Sequence, residues 1–117
     1  MAISLMNIEH LEAINQIDIR TNISPWSKDN LQSSLEVGHH GLVSTKEQTI
    51  TGFVIFSPMP PECHILNIAI DTKFQRVGIG TLLLKKVIDQ SRGMKIRKIF
   101  LEVRLSNATA INFYKSF

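Results

Sequence analysis

One cysteine, Cys63, stands in the 117 residues. A lone thiol has no intramolecular partner, so no internal disulfide staples this fold. Long apolar runs are missing as well. The best stretches, Gly52 to Phe56 and Ile65 to Ile70, fall well short of the roughly 20 residues that cross a bilayer as a helix. The opening MAISLMNIEHLEAI has no basic segment ahead of a continuous apolar core and no small-residue cleavage site, which argues against a secretory signal. A soluble, cytoplasmic protein without membrane contact is the expectation. His10, His39, His40 and His64 lack any recognised metal-ligand spacing, so no metal is expected.

An excess of one charge sign is only slight. Thirteen Lys and Arg against ten Asp and Glu give +3, which favours an anionic ligand or partner without naming one. The cations gather late, at Lys85, Lys86, Arg92, Lys95, Arg97 and Lys98, and no aromatic residues interleave with them. A solvated helix face and loop explain them better than a nucleic-acid patch, and direct nucleic-acid binding is not expected. Hydrophobic residues at 44% and charged residues at 20% match folded soluble domains and argue against disorder. Repeats, low-complexity tracts and linkers are absent, so residues 1–117 read as a single domain.

Periodicity then orders the chain. Residues 2 to 6 fit a short strand; Asn7 caps a helix carrying Ile8, Leu11, Ile14 and Ile17. In Ser24-Pro25-Trp26-Ser27, Ser27 is the cap of a second helix, with Trp26 and Leu31 placed as a hydrophobic staple. His40 to Lys46 and Thr49 to Ser57 form a hairpin turning near Lys46-Glu47-Gln48, its second strand weakened by Gly52. Pro58-Met59-Pro60-Pro61 breaks regular structure. Glu62 to Ile70 is a central strand, apolar on both faces. An amphipathic helix follows, with Ile79, Leu82, Leu83, Val87 and Ile88 inward, ending near Gly93. Ile99 to Val103 is another strand, and a last helix, Ala108 to Phe117, opens at Asn107. Strand, helix and strand at this spacing imply a right-handed crossover between parallel neighbours. The fold class is α/β (α+β) with a mixed sheet.

Gln75-Arg76-Val77-Gly78-Ile79-Gly80 sits where that helix begins. Glycine in a helix is unfavourable by about 1 kcal/mol relative to alanine, so Gly78 and Gly80 in an opening turn need a reason. A helix N-terminus offers unpaired N–H groups, and residues without side chains let an anion approach that backbone. The stretch fits a phosphate cradle with Arg76 at its rim; an ordinary strand-to-helix turn remains the alternative. Leu83 stands where a dinucleotide loop wants a third glycine, and Gly80-Thr81 lacks the lysine of a P-loop. Glu102, inside the apolar Ile99 to Val103, is costly to bury unpaired. It serves either in a salt bridge with Arg104 or Lys98 or as a general base. Tyr114 is a core residue or a proton donor, and Asn107 serves at least as a helix cap. Cys63 reads as a small apolar residue at a strand start rather than an acyl carrier.

LNIAIDTKFQRVGIGTLLL and IFLEVRLSNATAINFYKSF together resemble the GNAT superfamily of acetyl-CoA-dependent N-acetyltransferases. SPWS, LNIAID, FQRVGIG and LEVRLSNATAINFY are similar to its RimI-type branch, which acetylates the N-terminal alanine of a small-subunit ribosomal protein. The resemblance implies a GNAT-like mixed sheet flanked by helices. Ile68, Ala69 and Ile70 would form the strand edge that pairs with pantetheine and holds the thioester carbonyl. Arg76, Val77, Gly78, Ile79, Gly80 and Thr81 would bind the pyrophosphate of acetyl-CoA, and Asn107 would contact the cofactor. Glu102 maps onto the base and Tyr114 onto the acid. Val77 replaces a second basic residue common in this loop, a departure that weakens cofactor binding modestly.

The resemblance carries two further strands after the final helix, which this chain, ending at Phe117, does not contain. It therefore leads to an expectation of an exposed sheet edge, met by pairing into a homodimer or leaving the chain marginally stable. The expected function is acetyl transfer from acetyl-CoA to a primary amine, with a ribosomal protein N-terminus as acceptor. The alternatives are a small-molecule amine as acceptor, or a coenzyme A- or protein-binding module with impaired catalysis.

Overall fold

The structure, a computed structural model, describes residues 1–22 and 24–101. Strand β1 (Ala2–Leu5) leads through a 3-10 turn at Ile8–His10 into helix α1 (Leu11–Thr21), and α2 spans Lys28–Glu36. Three strands follow, β2 (His40–Lys46), β3 (Thr49–Met59) and β4 (Glu62–Ile70); a 3-10 turn at Thr72–Phe74, helix α3 (Ile79–Arg92) and β5 (Lys98–Leu101) complete the described elements. The sheet runs β1-β2-β3-β4-β5, antiparallel up to β4 and parallel between β4 and β5. It is the mixed α/β architecture expected, with α3 linking the parallel pair. Val103 and the helix expected over Ala108 to Phe117 lie outside the described residues.

Local chemistry explains the early elements. Asn7 accepts from the Glu9 N–H at 2.9 Å while the His10 ring accepts from the Asn7 N–H at 3.0 Å, a reciprocal cap. This cap starts a 3-10 turn, so Ile8 points outward and is exposed, unlike the inward Leu11, Ile14 and Ile17. Ser27 accepts from the Asn30 N–H at 3.1 Å, and Trp26 joins the core cluster that contains fully buried Leu31, as the staple requires. The β2–β3 turn places Glu47 and Gln48 at φ 52° and 68°.

The sheet separates two cores. Phe53 and Ile55 of β3 pack with α1 and α2 residues, whereas Val54 and Phe56 pack with α3. Alternation along one strand therefore feeds both layers. Burial of such large side chains on both faces contributes about 1.5–3 kcal/mol apiece, which explains why this strand reads as a continuous apolar run.

Two expectations need correction. β3 does not end at Ser57: Pro58 pairs with Cys63 and Met59 with Glu62, and the reversal falls at Pro60-Pro61. Pro58 is tolerated because it lies beyond Phe56, the last β3 residue paired with β2, where the strand has one neighbour. The buried stripe of α3 is Ile79, Leu83, Leu84, Val87 and Ser91. Leu82 is 42% exposed and Ile88 only half-buried, so the face is rotated relative to the expected one. Gly52 has a packing reason as well: a Cβ there would come within 2.6 Å of Ile70 Cδ1 and 3.0 Å of the Ala69 carbonyl. Only glycine permits that approach.

Candidate active site

Two irregularities shape the end of β4. Phe56 pairs with Ile65 but Ile55 pairs with Asn67, leaving Leu66 as an extra residue. Before it Cys63 and Ile65 face α3; after it Ile68 and Ile70 do. The bulge moves the inward phase from odd to even positions, which re-aims the strand at Ile68, Ala69 and Ile70. On β3, Ser44 pairs with Gly52 and Thr45 with Ile50, leaving Thr51 extra. Its carbonyl accepts from the Asp71 N–H at 2.9 Å, and its hydroxyl shares a 2.8 Å hydrogen bond with Ser44. A residue freed from the β2–β3 register thus holds the exit of β4.

Asp71 is fixed from both sides. Its carboxylate receives Nε and Nη2 of Arg20 at 3.2 and 3.0 Å, and it also accepts from the Thr72 N–H at 2.8 Å. The Gln75 side chain donates back to the Ile70 carbonyl at 3.0 Å. These bonds fold residues 71–75 into a compact lead-in to α3, delivering Arg76 and Gly78 at φ 66° and 87°. Gly78 is the N-cap of α3, without a side chain to close the helix end, and a Cβ placed on it would meet nothing within 4 Å among the described residues. Open space lies in front of it.

The first helical bond runs from the Leu82 N–H to the Gly78 carbonyl at 3.1 Å, so the N–H groups of Gly78, Ile79, Gly80 and Thr81 have no acceptor within the helix. Ile79 is buried and anchors the turn, while Arg76, Val77 and Gly78 are exposed. Unpaired donors, the positive end of a helix dipole and an accessible cation at Arg76 give this turn the chemistry that suits a polyanion. The structure sets Gln75 to Gly80 at the open N-terminus of α3, beside the strand end at Ile68, Ala69 and Ile70. Glu102, Asn107 and Tyr114 lie outside the described residues.

Other residues of this region escaped the sequence reading. Asp18, Asn67, Arg20 and Asn15 join α1 to β4 and to the loops on either side of the strand end. The only signal was an acid among the inward positions of α1 and an asparagine within an apolar strand. Cys63 is buried on the α3 face, and burial pushes its thiol up from the ordinary value, against a smaller downward pull from Ser91. A thiol held protonated is a poor acyl carrier.

Residues 10–117 match the model of the Acetyltransferase (GNAT) family. The chain belongs to the GNAT acetyltransferase family. Membership makes this GNAT protein an acyltransferase whose acetyl donor is acetyl-CoA, and the open helix N-terminus suits that donor's pyrophosphate. It is 34% identical to the [ribosomal protein bS18]-alanine N-acetyltransferase of Salmonella typhimurium over 114 residues, covering 97% of this chain and 77% of the relative. The Escherichia coli enzyme of the same name is 32% identical over the same shares. The crystal structure of the ribosomal-protein-S18-alanine N-acetyltransferase from Escherichia coli superposes with a TM-score of 0.89, covering 98% of this chain and 74% of that one. The PaiA N-acetyltransferase from Thermoplasma acidophilum, solved in complex with coenzyme A, shares the fold at a TM-score of 0.84 and 18% identity, covering 99% of this chain and 88% of that one. Among the described residues no helix is long and apolar enough to cross a membrane.

Proposed function

We propose that this GNAT protein acetylates the N-terminal amine of a protein, with the N-terminal alanine of a ribosomal protein as acceptor. The observation that carries the proposal is the identity of about a third, over nearly the whole chain, with enzymes named for that acceptor. The cradle at Arg76–Thr81 holds the donor's pyrophosphate, and the edge at Ile68, Ala69 and Ile70 receives its pantetheine arm; the donor supplies an activated thioester. Glu102, through a water, takes the proton of the substrate ammonium so that the amine can attack. Tyr114 delivers a proton to the departing thiolate, and Asn107 contacts the donor near the final helix. Backbone N–H groups near the strand edge meet the charge that develops on the carbonyl oxygen.

A positioned general base contributes about 10²–10⁴ in rate, so Glu102→Gln lowers kcat by at least about 10² without a matching loss of acetyl-CoA binding. Peptide acetylation followed by mass spectrometry measures this. A panel of alanine-initiated peptides and polyamines tests the acceptor: peptides are turned over and polyamines are not. Full activity in Glu102→Gln would remove it as base, and turnover of polyamines alone would replace the protein acceptor by a small-molecule amine.

A further inference from the structure

Helix α1 and the start of α3 lie against opposite faces of the sheet: Leu11, Ile14 and Ile17 pack in one core layer, Ile79, Leu83 and Val87 in the other. One side chain joins them around the end of β4. Arg20, in the last turn of α1, sends Nε and Nη2 to the two carboxylate oxygens of Asp71 at 3.2 and 3.0 Å. The Arg20 side chain is 46% exposed, and an ion pair at such a surface is worth about 1 kcal/mol or less to folding. Its geometry carries more than its strength. Two parallel N–H···O bonds fix the orientation of the carboxylate as well as its position.

Asp71 is where the chain leaves β4, and the segment up to α3 hangs on it. Its N–H donates to the Thr51 carbonyl at 2.9 Å, its carboxylate accepts from the Thr72 N–H at 2.8 Å, and its carbonyl accepts from the Phe74 N–H at 2.8 Å. Phe74 in turn packs against the α3 core layer. Two residues further on, Arg76 stands at φ 66°. A left-handed conformation is unfavourable by about 1–3 kcal/mol for a residue with a Cβ, and it persists only where the surroundings enforce it. The bonds that enforce it from upstream are those of Asp71 and the one from Gln75 to the Ile70 carbonyl.

We infer that Arg20 is a positioning residue for the acetyl donor. Through Asp71 it holds the lead-in to α3, so that Arg76 and the open N–H groups of Gly78, Ile79, Gly80 and Thr81 are set for a pyrophosphate before it arrives. The inference rests on the donor site proposed above and is independent of which amine is acetylated. Arg20 touches no substrate. Without the ion pair the donor must order the segment as it binds, and that ordering is lost from its affinity. Once the donor is bound the segment is in place again, so the chemical step is unaltered.

The test separates positioning from charge. If Arg20 served only as a cation near an anionic ligand, its effect would be lost in Arg20→Met, kept in Arg20→Lys and inverted in Asp71→Asn, where removing a negative charge tightens binding. Positioning weakens binding in all three, because lysine lacks the planar fork and Asp71→Asn breaks the same link from the other side. Calorimetric titration of the full chain with acetyl-CoA is expected to give a Kd raised about fivefold or more in Arg20→Met and Asp71→Asn, and less in Arg20→Lys. The double variant Arg20→Met with Asp71→Asn should be little worse than the worse single one, since both act on one link. Steady-state kinetics on the acceptor identified by the panel above should show the same rise in KM for acetyl-CoA, with kcat within about twofold of the parent. Lys28→Met, which removes the exposed Lys28–Glu12 pair of 2.8 Å between α2 and α1, should leave Kd within about twofold. Unchanged or tighter binding in Asp71→Asn overturns the inference, and so does a fall in kcat at unchanged KM. An affinity loss that follows the folded fraction in chemical denaturation, or that Lys28→Met reproduces, marks a merely structural role and overturns it as well. Arg20→Lys and Asp71→Asn supply the reading if Arg20→Met does not fold. A parent chain that binds no acetyl-CoA would instead overturn the donor site, and this inference with it.

Discussion

Gly78 and Gly52 are both glycines for backbone reasons, yet the reasons differ and so do their consequences. At Gly78 the constraint is conformational, φ 87°, with open space in front. Aspartate tolerates this region better than most residues, so Gly78→Asp mainly adds negative charge where a polyanion should sit. Acetyl-CoA affinity is expected to fall by at least about tenfold in a calorimetric titration, about 1.4 kcal/mol. At Gly52 the constraint is space. The end of Ile70 can move away from an added Cβ, but the Ala69 carbonyl at 3.0 Å is backbone and cannot. Gly52→Ala should cost about 1–3 kcal/mol in a urea titration, the range for overpacking a filled site.

At the scale of elements, β4 was legible from its apolar run to the residue, α2 from its cap, and α1 from its apolar spacing, although Asn7 caps the 3-10 turn ahead of it. Those signals are local: Asn7 and Ser27 act on N–H groups within three residues. The bulges at Thr51 and Leu66 were not legible, because each is a relation between two strands and leaves only a shift of apolar phase along one. The α3 stripe was misread for a related reason. Leu82, Leu83 and Leu84 are consecutive, and periodicity alone does not choose which two of three face the sheet. The structure chooses Leu83 and Leu84. Leu83→Ala is expected to lose about 2–5 kcal/mol and Leu82→Ala less than about 1 kcal/mol, read from chemical denaturation of both variants. Equal losses would return the helix to its expected face. The open helix start at Gly78 was legible, but the polar link through Asp18 was not, since an inward acid makes sense only once Trp26 and Asn67 are brought to it.

Across the whole molecule, two apolar layers share one sheet, and the one cysteine lies in the layer under α3. Its raised thiol pKa ties global stability to pH. The native state keeps the proton more tightly than the unfolded chain, whose thiol titrates near about pH 8.5. That contribution is complete below the unfolded value and is lost as pH rises through it towards the native one. Denaturation midpoints should therefore fall between about pH 7.5 and about pH 9.5, and fall less in Cys63→Ala. An equal slope in both proteins would show that other groups set the alkaline limit.

Asp18 and Arg20 leave the same turn of α1, one towards Trp26 and Asn67, the other towards Asp71 at the head of the cradle. That turn is a shared support for the two sides of the strand end. Any shift of that turn moves both sets of bonds together, so the loop before α2 and the lead-in to α3 rest on one mechanical base.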